Sequence, residues 1–264
     1  MKKLETGDSV RVMQLQLNQA GFKVLADGWF GDSTEAAVKA FQRSVGLVED
    51  GIAGPKTLTL LKTGKKDSRL LSQSDLERAA QRLDVPVAAI HAVNEIESRG
   101  HGFLQDGRPV ILYERHVMFE RLENCGQDAA ALSKSYPAVI NKARGGYSGG
   151  SAEYVRLNAA IGIDQTCAIE SASWGQFQIM GYRYEMAGYK SATEFVADMY
   201  KSESKQLDAF VSFIEFDPLL HKALKSRKWA EFARIYNGPA YKENLYDVKL
   251  ARAYDRYAAE EATA

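Results

Sequence analysis

The first 62 residues of the chain repeat themselves. "LADGWFGDSTEAAV" and "VEDGIAGPKTLTLL" superpose with a shift of 23, which puts Asp27 on Asp50, Gly28 on Gly51, Gly31 on Gly54, Thr34 on Thr57 and Val38 on Leu61. Each Asp-Gly pair is turn chemistry, because glycine reaches positive φ without steric cost. The second glycine of each copy opens a helix. Asp32 and Glu35 have the spacing of a capping box, and Pro55 occupies a first helical position. Val38, Phe41 and Val45, then Leu58 and Leu61, follow at helical spacing. An earlier helix, about Ser9 to Ala20, carries Val10, Met13 and Leu17 on one face and stops at Gly21. The expected product is a three-helix module with two equivalent Asp-Gly loops, occupying residues 1–64.

The polar, basic stretch "KTGKKDSR" has no apolar periodicity and reads as a linker, residues 65–70. From "SQSDLERAAQRL" onward the pattern is helical almost throughout, giving a second domain over 71–264. The exception is "GFLQDGRPVILYERHVMF", where turns flank the β-rich Val110–Tyr113 and a small hairpin or extended segment is expected. The fold class is mainly α, a three-helix module beside a larger helical domain with a small β element. Lys plus Arg and Asp plus Glu each number 34, so no global field draws the chain to nucleic acid or to an anionic membrane. "MKKLETGDSVRVM" lacks the apolar core of a signal peptide, and no run reaches the roughly 18 apolar residues of a span. The expectation is a monomer that stays in the cytoplasm of the cell making it until it is released. Cys125 and Cys167 lie in no Cys-x-x-Cys pattern, and read as two reduced thiols or as one disulfide. No zinc-hydrolase spacing involves the four histidines and no nucleotide-binding glycine motif is present, so neither metal nor cofactor is expected.

"VPVAAIHAVNEIES" presents a problem of its own. On a helix turning about 100° per residue, Ile90, Val93, Ala89, Ile96 and Val87 form one apolar arc. Glu97 falls in the middle of that arc, whereas Glu95 falls on the polar side with His91. A carboxyl group set among apolar side chains has its ionised form desolvated, so its pKa rises and it can act as a general acid near neutral pH. Gly100 and Gly102 break the helix just beyond it. The alternative is a buried glutamate paired with Arg99 or Arg115.

Two resemblances add to this reading. "QLQLNQAGF", "DGWFGDSTEAAVKAFQ" and "GLVEDGIAGPKT" resemble the peptidoglycan-binding domain 1 family, a three-helix module found beside cell-wall hydrolases. That resemblance implies wall contacts from the loops, with Asp27, Trp29 and Asp50 as candidates, although each residue taken alone reads first as turn structure and the resemblance speaks for the module. "EIESRGHGF", "GRPVILYERH", "SASWGQFQIMG" and "RIYNGPAY" occur in the order seen in phage N-acetylmuramidases, which are related to goose-type lysozymes and lytic transglycosylases. The match spans most of residues 75 to 255. It implies that Glu97 is the catalytic acid and that Tyr236 and Asn237 face it across a cleft.

"SASWGQFQIMG" supplies Ser173, Gln176 and Gln178 for sugar hydroxyls, and Trp174 either for a pyranose face or for the core. Glu114 is the candidate second carboxylate, or else a partner of Arg99, Arg108 or Arg115. Glu170, in a second "IES", reads as a surface residue. Together the resemblances imply an endolysin of a phage with a Gram-negative host, stored in the host cytoplasm, released through a holin pore and acting on periplasmic peptidoglycan. The rivals are a lytic transglycosylase and a catalytically inactive wall-binding protein.

Overall fold

The computed structural model describes every residue except Lys66, Arg99, Thr263 and Ala264, and describes Ala240 without its side chain. The chain divides into two compact units, Met1–Ala80 and Gln81–Ala264. Helix α4 (Gln73–Leu83) runs across that division, some residues beyond the basic linker read from sequence.

The first unit holds α1 (Asp8–Gln19), α2 (Asp32–Val45) and α3 (Pro55–Thr63). Val10, Met13 and Leu17 of α1 pack against Phe30, Val38, Phe41, Leu47 and Leu60 in one buried cluster. The two Asp-Gly loops are built alike around one buried glutamine each. Gln14 Nε2 donates to Asp27 Oδ1, Trp29 O and Thr34 Oγ1 at 2.9–3.0 Å, and Gln14 Oε1 accepts from the Gly28 N–H at 2.9 Å. In the second copy Gln42 Nε2 donates to Asp50 Oδ1, Ile52 O and Thr57 Oγ1, and Gln42 Oε1 accepts from the Gly51 N–H at 3.0 Å. Asp27 and Asp50 also accept from the N–H two residues on, of Trp29 and Ile52. Each loop residue thus satisfies its neighbours' backbone groups, and both carboxylates are engaged inside their own turns. The Trp29 backbone amide, and behind it the Gln14 amide, hold Asp27 below the usual carboxylate range.

One local expectation is corrected. Asp32 and Glu35 form no capping box; Gly31 is the N-cap, with no side-chain cap, and both acids face Lys3 instead. The amino group of Lys3 competes for the carboxylates that the box would use. Pro55 does open α3.

The second unit contains α5 (Val87–Glu97), β1 (Ile111–Tyr113), α6 (Arg115–Asn124), α7 (Ala129–Ser135), α8 (Glu153–Ile161), α9 (Gln165–Glu170), β2 (Ala172–Trp174), β3 (Ile179–Met180), α10 (Ala192–Met199), α11 (Glu203–Phe216), α12 (Pro218–Lys225), α13 (Trp229–Asn237) and α14 (Tyr246–Glu261). The strands form one antiparallel sheet in the order β1-β2-β3, with Leu112 opposite Ser173 and Ser173 opposite Met180. Only β1 was legible as extended sequence. β2 and β3 arise from "SASWGQFQIMG", whose tight turn at Gly175 reverses the chain.

Helix α5 is buried on nearly every side. Ala88, Ala89, Ile90, His91, Ala92 and Val93 are all buried, because α14 covers the face read as polar. Ala88 and Ala92 meet Ala253 and Tyr257 there, and His91 stacks on Tyr257 at 4.6 Å. Glu95 therefore faces α14, paired with Arg256 and accepting from the Tyr257 hydroxyl at 2.8 Å. Glu170 is likewise buried and not at the surface: it accepts from Arg121 Nε at 2.7 Å, a partner 49 positions away. The Cys167 thiol donates to the Cys125 sulfur at 3.4 Å, and both cysteines are free of any disulfide.

Candidate active site

Glu97 is the last residue of α5, and Ser98 leaves the helix with extended backbone. Its carboxyl group enters a cavity of about 390 Å³ lined by Ile96, Phe177, Ile179, Met180, Phe213 and Tyr246, among others. That volume lies within the range of small-ligand sites. Burial among these apolar groups pushes the Glu97 pKa up to about 7, against an opposing hydrogen bond from Asn237. The helix end works in the same direction as burial, since the unsatisfied carbonyls of a last turn disfavour a negative charge. Near neutral pH Glu97 is thus a protonated acid in a substantial fraction of molecules, open to a ligand-sized space.

Asn237 and Tyr236 end α13 and bring the opposite wall of the cavity. Asn237 Nδ2 donates to both Glu97 oxygens, at 2.9 and 3.1 Å. The Tyr236 ring stacks with Phe232 and meets Phe210 and Phe213 edge-on. Its hydroxyl donates to Phe177 O at 2.8 Å. Desolvation raises the phenol well above its ordinary range, so it stays a neutral donor. Gly238, at φ 81°, then turns the chain away from the helix.

The β2–β3 turn forms the third side. Gln178 adopts left-handed backbone at φ 53°, which a glutamine tolerates at a cost of about 1 kcal/mol. Three contacts hold it there. Its Oε1 accepts from Ser173 Oγ at 3.0 Å, and its Nε2 donates to Gly175 O at 2.9 Å and to Val110 O at 3.3 Å. Ser173 is therefore a support for Gln178. Gln176 is buried and donates to Asn94 of α5 at 2.7 Å, tying the turn to the helix that carries Glu97. Trp174 is a core residue: it is buried, and its indole N–H reaches Ile169 O at 3.0 Å. Among the eight catalytic and substrate-contact candidates read from sequence, the cavity wall takes Glu97, Gln178, Tyr236 and Asn237, and the other four lie outside it.

One buried side chain went unnoticed in the sequence and organises this turn. Gln206 of α11 accepts from the Gln176 N–H at 2.7 Å and donates to Met199 O at 2.9 Å and Gly102 O at 3.3 Å. A Cβ on Gly102 would overlap the Gln206 amide, and one on Gly175 would sit 2.7 Å from it. Both glycines are thus required by close approach to Gln206, and Gly102 N–H is further held by Glu203 at 2.8 Å. A glutamine inside an apolar helix face was the available signal, as it was for Gln14 and Gln42.

Glu114 stands apart from the cavity wall. It accepts from the Tyr147 hydroxyl at 2.9 and 3.1 Å and faces His116 Nδ1 at 3.1 Å, whereas Arg115 donates to Ala143 O and Arg144 O and Arg108 pairs with Asp106. Arg99 lies outside the described residues. The glycine-rich loop carrying Tyr147 is anchored by Glu153, which accepts from the N–H groups of Ser148, Gly149 and Tyr113 and pairs with Arg156 at 2.8 Å. Burial alone would raise Glu153, but those donors outweigh it and hold its carboxyl below the usual range. Arg183 and Tyr246, two further cavity residues, carried no sequence signal.

Comparison with known proteins fits these two units. The family model of the putative peptidoglycan binding domain matches residues 6–61. The chain is 47% identical across 57 residues to the zinc D-Ala-D-Ala carboxypeptidase of Streptomyces albus G. It is 46% identical across 56 residues to the N-acetylmuramoyl-L-alanine amidase CwlM of Mycobacterium tuberculosis. These matches cover 20% and 21% of this chain, and 22% and 14% of those proteins. The crystal structure of a Burkholderia AP3 phage endolysin is similar throughout, with a TM-score of 0.93 and 52% identity over 98% of this chain and 99% of that one. The model of the N-acetylmuramidase family matches residues 86–258, a span that contains Glu97, the β2–β3 turn and Asn237. The chain belongs to the N-acetylmuramidase family.

Proposed function

We propose that this protein is an endolysin that binds peptidoglycan through its N-terminal module and hydrolyses the glycan strand with Glu97 as general acid. The observation that carries the reading is the Glu97 carboxyl group, its pKa pushed up to about 7 by burial, facing Asn237 in a ligand-sized cavity. Glu97 gives its proton to the glycosidic oxygen as the C1–O bond breaks, and the resulting carboxylate takes a proton from the water that adds at C1. The bond is the β-1,4 link between N-acetylmuramic acid and N-acetylglucosamine. Tethering by the first unit raises the local concentration of enzyme on an insoluble polymer. In that unit Trp29, 56% exposed beside its turn, is the loop aromatic free to meet the wall. Storage in a host cytoplasm and action in the periplasm after release complete the reading. Among the described residues no helix is long and apolar enough to cross a membrane.

A second reading follows from the absence of another carboxylate on the cavity wall among the described residues. A lone acid can act as acid and then base, with the muramyl 6-hydroxyl attacking in place of water, as in a lytic transglycosylase. Mass spectrometry of muropeptides released from purified sacculi separates the two. Hydrolysis leaves reducing muramic ends, transglycosylation leaves anhydro ends, and no cleaved strands would contradict both.

A further inference from the structure

Arg183 closes the short 3-10 turn Gly181–Arg183 after β3, and it lines the same cavity as Glu97. Its Nε donates to the Tyr182 hydroxyl at 3.3 Å, and its guanidinium carbon lies 5.6 Å from the ring centres of both Tyr182 and Phe213. Among the described residues no carboxylate lies within ion-pair distance of it. The contrast within the unit is plain: Arg121 holds Glu170, Arg156 holds Glu153 and Arg256 holds Glu95. Glu97 is not its partner either. A guanidinium at close range would depress the Glu97 pKa, which is raised by burial instead.

An arginine that lines a ligand-sized cavity is thus held over two aromatic faces, and among the described residues its terminal nitrogens make no hydrogen bond. That is a preorganised fork, and its geometry matches a planar carboxylate in two parallel hydrogen bonds. The sugar hydroxyls and acetamides of a peptidoglycan strand are neutral. Its carboxylates hang from the lactyl arm of the muramic residue, either as the free acid of the arm itself or on the stem peptide that acylates it.

We propose that Arg183 is a specificity-determining residue that binds a carboxylate carried on the lactyl arm of the muramic residue. This inference rests on the glycan-cleaving reading of the Glu97 cavity. It gives the cavity a direction, since the muramic residue must lie on the β3 side, where Arg183 enters. It also explains why a cavity of mostly neutral groups keeps a cation that no acid among the described residues neutralises.

The test is calorimetric titration of the full-length chain carrying Glu97→Gln, which binds glycan without consuming it. The probes are a tetrasaccharide of the alternating strand with free lactyl carboxylates, the same sugar as its carboxamide, and a stem-peptide-bearing strand with its carboxylates free or amidated. One free acid should bind about tenfold or more tightly than its amide, the scale of a charge-assisted bidentate contact. That preference should fall to near one with Arg183→Gln, survive in part with Arg183→Lys, and shrink with salt. Whichever acid shows it, the lactyl arm or the stem peptide, is the source of the carboxylate. Equal binding of acid and amide in both pairs, or a preference that persists in Arg183→Gln, would overturn the assignment. If the wild-type chain cleaves sacculi while the preference is missing, only the role of Arg183 falls. If it cleaves no glycan, the reading beneath it falls as well.

Discussion

Asn237 donates one amide nitrogen to both oxygens of Glu97, at 2.9 and 3.1 Å, across 140 positions of sequence. The contact joins the end of α5 to the end of α13, and it opposes the burial that raises the Glu97 pKa. The acidity of the site is a balance between those two effects.

The pH profile of wall cleavage reports that balance. Activity that needs protonated Glu97 should fall as pH rises through about 7, approaching tenfold per pH unit beyond it. Asn237→Ala removes the donor that favours the carboxylate, so burial acts unopposed and the alkaline limb of kcat/KM should move to higher pH. A limb that moves to lower pH would contradict the balance.

The buried glutamines of the first unit should matter more to stability than the loop carboxylates they hold. Gln14→Ala or Gln42→Ala leaves the buried N–H of Gly28 or Gly51 without its partner, for a loss of about 1–3 kcal/mol. Denaturant unfolding of the full-length chain, followed through Trp29, measures it. A loss below about 0.5 kcal/mol would show that water replaces the glutamine.

Glu170→Gln should lower stability and spare chemistry. It removes the charge facing Arg121, whose side chain remains 30% exposed, so the cost is about 1–3 kcal/mol, less than for a fully buried pair. The melting temperature should fall by several degrees, with cleavage of sacculi well below the transition close to wild type. A folded but inactive variant would move Glu170 into the site.

These sites show what a single sequence discloses. Asp27 and Asp50 were visible because the duplication repeats them, and Glu97 was visible because helical phase set it among apolar residues. The polar face assigned to Glu95 and His91 was misjudged because α14, more than 150 positions away, covers it. Periodicity reports polarity along a helix, but not which partner will arrive. Glu170 went wrong for the same reason, since Arg121 lies on another helix. Gln206 was signalled only by its place in an apolar helix face, and Arg183 carried no local signal, because a cation in a cavity exists only after the chain has closed on itself. The β2–β3 turn was read as a ligand-contact motif, whereas much of its chemistry supports its own geometry.

The most direct test of the account is Glu97→Gln, with reducing-end release from purified sacculi and the melting temperature measured on one preparation. Release should fall by about 10²–10⁴-fold, since an amide has no proton to give the glycosidic oxygen. The folded-state pKa lies above the unfolded one, so the wild-type residue contributes fully at acid pH and loses that contribution as pH rises through about 7. The neutral variant should therefore match wild-type stability near pH 4 and exceed it by about 1–3 kcal/mol near pH 8. A folded variant that cleaves sacculi at the wild-type rate would contradict the assignment of Glu97 as the acid.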